Sequence, residues 1–221
     1  MIRAVLFDVD FTLARPGPDL MPEGYVSCGA RYGLRLEAAR YEGARDAAFI
    51  DLQRHPELDH DEEIWVAFTE RIVLGMGGVE PAAHEVAVEL TSRWAQHTNF
   101  ELYDDTLPTL RGLHEQGVKI GLVSNSARDV REFAVHHGLE IDAGISSFHH
   151  GKTKPHASIF RAVLDLLEVE PREALMVGDS VDDDIEGARA AGMQAVLLDR
   201  LDLRPDFAPR IRSLAELRLS S

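Results

Sequence analysis

The chain has 221 residues, 45% of them apolar and 28% charged, which is room for one α/β domain with a modest insertion and excludes three independent domains. Its formal net charge of -15 argues against nucleic acid or an anionic membrane surface as partner, since both favour a basic face; a small anion accompanied by a bound cation stays open. Cys28 is the single cysteine, so an internal disulfide and a zinc site built on several cysteines are excluded.

The chain opens with an apolar run over residues 2–7, too short for a secretory signal and lacking a small-residue cleavage site. No apolar stretch approaches the roughly 20 residues that span a bilayer, and the expected compartment is the cytoplasm. Continuous rather than alternating hydrophobicity predicts a strand buried on both faces. Phe7-Asp8-Val9-Asp10-Phe11-Thr12-Leu13 follows. The motif overlaps the end of the strand, so Asp8 and Asp10 share a face, because residues two apart in an extended chain project to the same side. Two carboxylates so placed repel each other, and a divalent cation or a shared proton relieves the repulsion; two solvated acids at a strand exit are the plain alternative.

Residues 18–100 contain no convincing strand. Helical patterns over 38–52, 61–74 and 81–96 are interrupted by Pro22, Pro56 and the glycines of 75–78. We read them as a helical insertion, with residues 1–17 and 101–221 forming the remaining domain. Strand and helix then alternate. A helix is expected over 106–116, a strand over 118–123, a helix over 127–137 and a weaker strand over 143–148. A helix over 156–167, a strand over 174–177, a helix over 185–191 and a strand over 195–198 follow, and the tail carries Pro205 and Pro209. That order predicts a doubly wound α/β fold on a parallel sheet.

Three further motifs fall at strand ends or helix starts. Leu122-Val123-Ser124-Asn125-Ser126 ends the second core strand. Ser126-Ala127-Arg128-Asp129 reads as a helix cap, which leaves the Ser124 hydroxyl without a structural duty. Lys152-Thr153-Lys154-Pro155 opens a helix, with proline at the first helical position, in a chain whose only other lysine is Lys119. A cation there opposes the helix dipole unless an anion lies nearby. Gly178-Asp179-Ser180-Val181-Asp182-Asp183-Asp184 follows a buried strand. Asp182 and Asp183 suit a helix N-terminus, whereas Asp179 sits at the strand tip, before the helix begins. In a doubly wound sheet, ligands bind outside the carboxyl ends of the strands, where Asp8, Ser124 and Asp179 would point.

With these four motifs in this order, the chain resembles the haloacid dehalogenase-like hydrolases, over residues 2–13 and about 104–200. The resemblance implies a Rossmann-like core with a helical cap, matched here by position and helicity alone. It implies Asp8 as nucleophile and Asp10 as general acid/base, and Ser124, Asn125 and Lys154 as phosphate-binding residues. Mg²⁺ would be held by Asp8, Asp10 and Asp179, supported by Asp183 or Asp184. The implied function is hydrolysis of a small phosphorylated metabolite through an aspartyl-phosphate. A sugar phosphomutase, or a non-catalytic ligand-binding protein on the same fold, is the alternative. Dehalogenation needs neither Asp10 nor Asp179, and imine-forming phosphonate hydrolysis needs a cap lysine, which the insertion lacks. Phe11 stands where the family usually has glycine, and the expectation is that it narrows the mouth of the site or packs on the insertion. Arg45, Arg54, His55, His60, Trp65 and Arg71 are the insertion's candidate substrate contacts.

Overall fold

The computed structural model describes residues 1–52 and 54–219, which fall into two compact units, Met1–Arg15 with Glu101–Ser221 and Pro16–Phe100. In chain order, β1 (Ala4–Phe7) and β2 (Ala14–Pro16) precede the helices α1 (Pro22–Arg31), α2 (Tyr41–Ile50), α3 (Glu62–Gly75) and α4 (Ala82–Trp94). Next come β3 (Phe100–Leu102), α5 (Thr106–Glu115), β4 (Lys119–Ser124), α6 (Val130–His137), β5 (Ala143–Ser146), α7 (Ser147–His150) and α8 (Ala157–Leu167). β6 (Ala174–Gly178), a helical segment Val181–Glu186, α9 (Gly187–Ala190), β7 (Gln194–Leu198) and β8 (Arg210–Ile211) complete the chain before a short turn at Leu214–Glu216.

Six strands form one parallel sheet in the order β5-β4-β1-β6-β7-β8, so the first strand of the chain lies in the middle. All four residues of β1 are buried, as a strand covered on both faces requires. The register sets Phe7 beside Leu122 and Val177, Ser124 beside Ser146, and Gly178 beside Leu197. The carboxyl ends are thereby level, and whatever follows each strand emerges at one edge. α8 buries Ile159, Phe160, Val163, Leu164 and Leu167 against a core that includes Leu6, Val123 and Met176. Each such side chain contributes about 1.5–3 kcal/mol of burial.

Several boundaries differ from the sequence expectation, each for a local reason. α6 starts at Val130, not 127: Asp129 is its cap, its carboxylate accepting from the N–H groups of Arg131 and Glu132, so Ser126 is free of that role. α8 starts after His156, whose ring accepts from the Ser158 N–H, which leaves Lys154-Pro155 in the preceding turn rather than in the helix. The fifth strand ends at Ser146 and its expected continuation is the helix α7. β2 and β3 pair as a separate two-stranded sheet, and β8 adds an edge strand; segments this short carry no periodic signal.

The helical unit has its own core, in which Tyr25, Cys28, Ile72, Val73, Met76, Val86 and Leu90 are buried together. α1 was not expected, because Pro22 reads as a breaker. It occupies the start of the helix, where a missing N–H costs nothing. Trp65 packs edge-on to Phe68, Arg45 pairs with Asp46, and Arg71 donates to the Asp51 carbonyl.

Candidate active site

Asp8 follows β1 directly, and its N–H still bonds to the Val177 carbonyl at 3.0 Å, so the ladder carries the residue one step past the last strand position. Strand geometry then stops. The Leu13 and Ala14 N–H groups both donate to the Val9 carbonyl, and the Phe11 N–H to Ala14, closing a tight loop. The alternation expected to set Asp8 and Asp10 on one face therefore does not extend to Asp10. Phe11 takes φ 63°, the left-handed region in which glycine is at ease and a side chain costs about 1–2 kcal/mol. The glycine usual at that position thus has a backbone reason, and here an aromatic ring 45% exposed is carried in its place.

At the Asp8 carboxylate the fold converges. Lys154 Nζ donates to Asp8 Oδ1 at 2.5 Å and to Asp184 Oδ1 at 2.6 Å, and all three side chains are buried. Ligand oxygens of Asp8, Asp179 and Asp184 lie within 4.8 Å of one another. Lys154 is held by Asn125 through the main chain: its N–H donates to Asn125 Oδ1 at 2.7 Å, and Asn125 Nδ2 donates to its carbonyl at 3.0 Å. The Asn125 carboxamide, expected to bind phosphate, instead ties the lysine loop to the end of β4. Ser124 is buried there, its hydroxyl donating to the Ser126 hydroxyl at 3.2 Å.

The Asp179-to-Glu186 turn is built to bring one acid back over the strand tip. Ser180 caps it by accepting from the Asp183 N–H, and the Ser180 carbonyl takes the N–H groups of both Asp184 and Ile185. Such wide turns often mark functional sites. Asp184 Oδ2 accepts from the Ser180 N–H at 3.0 Å and lies directly on Gly178, where a Cβ would overlap its carboxyl group. Any other residue at 178 would displace Asp184. Of the two acids expected to support a metal, the turn directs Asp184 into the cluster. Asp183 lies outside it among the described residues.

The electrostatics follow from this crowding. Burial raises the Asp8 carboxyl above its usual range, the Lys154 charge opposes that rise, and Asp10 adds to it. Burial likewise pushes Asp184 up to about 6 against the pull of Lys154. Asp179 is pushed well above the usual range, first by desolvation and then by the charges of Asp8 and Asp184. Asp179 is nonetheless exposed, so the repulsion from Asp8 and Asp184 is the cause that carries weight there, and it is the part that a cation would abolish. Burial alone would depress the Lys154 ammonium, but Asp184 and Asp8 outweigh it and hold it raised. Fully ionised, three carboxylates and one ammonium leave two negative charges, which one divalent cation neutralises with the oxygen ligands that hard cations prefer.

Asp10 faces a residue that the sequence did not nominate. Its carboxylate is ion-paired with Arg128, whose side chain is 1% exposed and lies in the loop between β4 and α6. The pairing spans 118 positions of chain. Read locally, Arg128 was one more polar residue of a helix cap, and no local pattern announces such a contact.

The family model described as haloacid dehalogenase-like hydrolase matches residues 2–192. The chain is 32% identical to the glyceraldehyde 3-phosphate phosphatase of Methanopyrus kandleri, over 95% of this chain and 89% of that one. It is 34% identical to the phosphoserine phosphatase of Thermus thermophilus, over 93% and 91%. Among solved structures, a haloacid dehalogenase-type phosphatase from Thermococcus onnurineus superposes with a TM-score of 0.67 at 31% identity, covering 98% of this chain and 96% of that one. Matched along nearly its whole length, with an acidic cluster at the carboxyl edge of a six-stranded parallel sheet, the chain belongs to the haloacid dehalogenase-like hydrolases.

Proposed function

We propose that this hydrolase is a Mg²⁺-dependent phosphatase that cleaves a small phosphate monoester through a phosphorylated Asp8. The observation that carries the reading is the Asp8 carboxylate itself. It is buried at the tip of the central strand, bonded to Lys154 on one side and adjacent to Asp179 and Asp184 on the other. A buried carboxylate so placed is desolvated, oriented and short of cationic partners, as a nucleophile awaiting an electrophile would be.

Asp8, Asp179 and Asp184, with the main-chain carbonyl of Asp10, would hold the cation. Its contribution when bound is to screen the repulsion between an anionic nucleophile and an anionic phosphoryl group. The rest is done by side chains of the chain. An Asp8 oxygen attacks phosphorus as the ester P–O bond breaks, and Asp10 gives its proton to the departing oxygen. A water then attacks the aspartyl-phosphate, Asp10 takes the water's proton, and inorganic phosphate leaves with Asp8 regenerated. Lys154 restrains Asp8 and offsets negative charge on the phosphoryl oxygens, and Ser124 turns its hydroxyl from Ser126 towards one of them. Dehalogenation would use Asp8 but gives no reason to gather Asp179 and Asp184 around it.

The relatives named above act, by their names, on glyceraldehyde 3-phosphate and phosphoserine. A phosphorylated metabolite of similar size is the substrate class proposed here, hydrolysed in the cytoplasm. Among the described residues no helix is long and apolar enough to cross a membrane. The test is release of inorganic phosphate from p-nitrophenyl phosphate and from a panel of sugar phosphates, nucleotides and phosphorylated acids. Hydrolysis that needs Mg²⁺, stops with chelator and is absent from Asp8→Asn is expected. Full turnover by Asp8→Asn, or indifference to chelator, would refute the reading.

A further inference from the structure

Arg128 is among the largest fully buried side chains of the protein. Its guanidinium donates to Asp10 Oδ1 and lies 5.6 Å from the centroid of the Phe133 ring, on α6. Burying a guanidinium costs several kcal/mol, and replacing a buried ion pair as a whole by apolar side chains of similar volume is often neutral or stabilising. Arg128 is therefore a poor choice for stability alone. Its partner is different in kind: the Asp10 side chain is 21% exposed, on a loop whose backbone is closed tightly around Val9. A short carboxylate at the edge of solvent has several rotamers of similar energy, and only some aim it at a group attacked by Asp8.

We infer that Arg128 is a positioning residue for Asp10, holding that carboxylate in the orientation from which it gives its proton to the leaving oxygen. This rests on the acid/base reading of Asp10 given above. The structural basis is a division of rigidity. Arg128 is fixed by burial, by the Phe133 ring and by the helix cap at Asp129 one residue on, so it supplies a fixed anchor to a side chain that has none of its own. Arginine suits the task better than lysine, because its planar donors define a direction whereas an ammonium does not. Arg128 is given no contact with substrate, so its loss should appear in kcat and not in KM. The effect should also depend on the leaving group. An alkoxide leaving from an alkyl phosphate needs its proton, whereas p-nitrophenolate leaves without one.

The experiment compares Arg128→Met, Arg128→Lys, Asp10→Asn and the double variant Asp10→Asn/Arg128→Met, each with Mg²⁺. The substrates are p-nitrophenyl phosphate and the alkyl phosphate that the wild type hydrolyses fastest. Arg128→Met is expected to lower kcat for the alkyl phosphate about 100-fold, the cost of a misplaced catalytic group. The loss on p-nitrophenyl phosphate should be at least several-fold smaller, with KM for both unchanged within about threefold. Arg128→Lys should recover part of the loss. The double variant should be no slower than Asp10→Asn alone, since removing an anchor from a group already lost changes nothing. It also removes both charges together, so it reports on the coupling even where Arg128→Met, left with an unpaired Asp10, fails to fold. Equal losses on the two substrates, a loss carried by KM, or additive losses in the double variant would overturn the positioning role. Asp10→Asn with undiminished turnover of the alkyl phosphate would overturn the acid/base reading and this inference with it. Asp10→Asn impaired beside an unimpaired Arg128→Met would remove only the latter.

Discussion

In the helical unit, Glu89 is met by Arg31, by Arg93 at 2.7 Å and by the Tyr32 hydroxyl at 2.9 Å. Burial acts to raise its carboxyl, yet these donors outweigh it and hold it at about 2. In the sheet unit, Asp8 and Asp184 share the ammonium of Lys154 while Asp179 beside them has no ion pair with it, and each of the three is raised above the usual carboxylate range. One cluster has more cationic partners than it needs and the other too few. The difference separates charge used to hold helices together from charge kept under tension for a ligand. An unmatched group of acids lowers stability, and groups so perturbed cluster at functional sites; on the function proposed above, a cation and a phosphoryl group would complete this one.

The comparison can be broken most decisively at Asp8. Asp8→Asn should reduce turnover by about four orders of magnitude or more, as loss of a covalent nucleophile does, measured as phosphate release at saturating substrate. Next in size, Lys154→Met should destabilise the metal-free protein by about 3–5 kcal/mol, since it leaves two buried carboxylates without their shared cation; denaturant unfolding in chelator reads this directly. Asp179→Asn probes the tension itself. It should raise the melting temperature of the metal-free protein. It should also remove the gain expected from Mg²⁺ binding, which for the wild type would be about 2.7 kcal/mol at a hundredfold excess over Kd. A metal-free melting temperature lowered by that substitution would mean that the acids do not oppose one another. The smallest effect belongs to the satisfied cluster. Glu89→Gln should cost about 1–2 kcal/mol at neutral pH. Because the folded-state value is depressed, that contribution is full above about pH 4.5 and disappears as pH falls through about 2. Wild type and variant should therefore converge in acid, which a series of unfolding curves between pH 7 and pH 2 would show.

Much of the core was legible because its signals are local. Largely apolar runs over residues 2–7, 118–123 and 174–177, broken only by Arg3 and Lys119, suit strands covered on both faces, and a glycine or polar residue ends each. The level carboxyl ends follow from parallel pairing, so residues immediately after strands, Asp8 and Asp179, could be named in advance as facing one edge. Where the structure departs from the local reading, a local rule met competition. Strand alternation set Asp10 on one face with Asp8, but the strand stops at Phe7 and a tight loop takes over. Ser126 and Asp129 both suit a helix cap, and the structure uses Asp129. Asn125 has the chemistry to bind phosphate, yet a loop 29 positions away takes both ends of its carboxamide.

The sequence by itself determined the parallel α/β architecture, the helical character of the insertion and the four places where polar residues meet strand ends, because hydrophobic period and turn chemistry are properties of neighbouring residues. Only the tertiary structure decided that Asp184 and not Asp183 enters the carboxylate cluster, that Asn125 serves Lys154, and that Arg128 is the partner of Asp10. Those choices depend on the pitch of one turn and on contacts across as many as 118 positions, distances over which sequence neighbours carry no information.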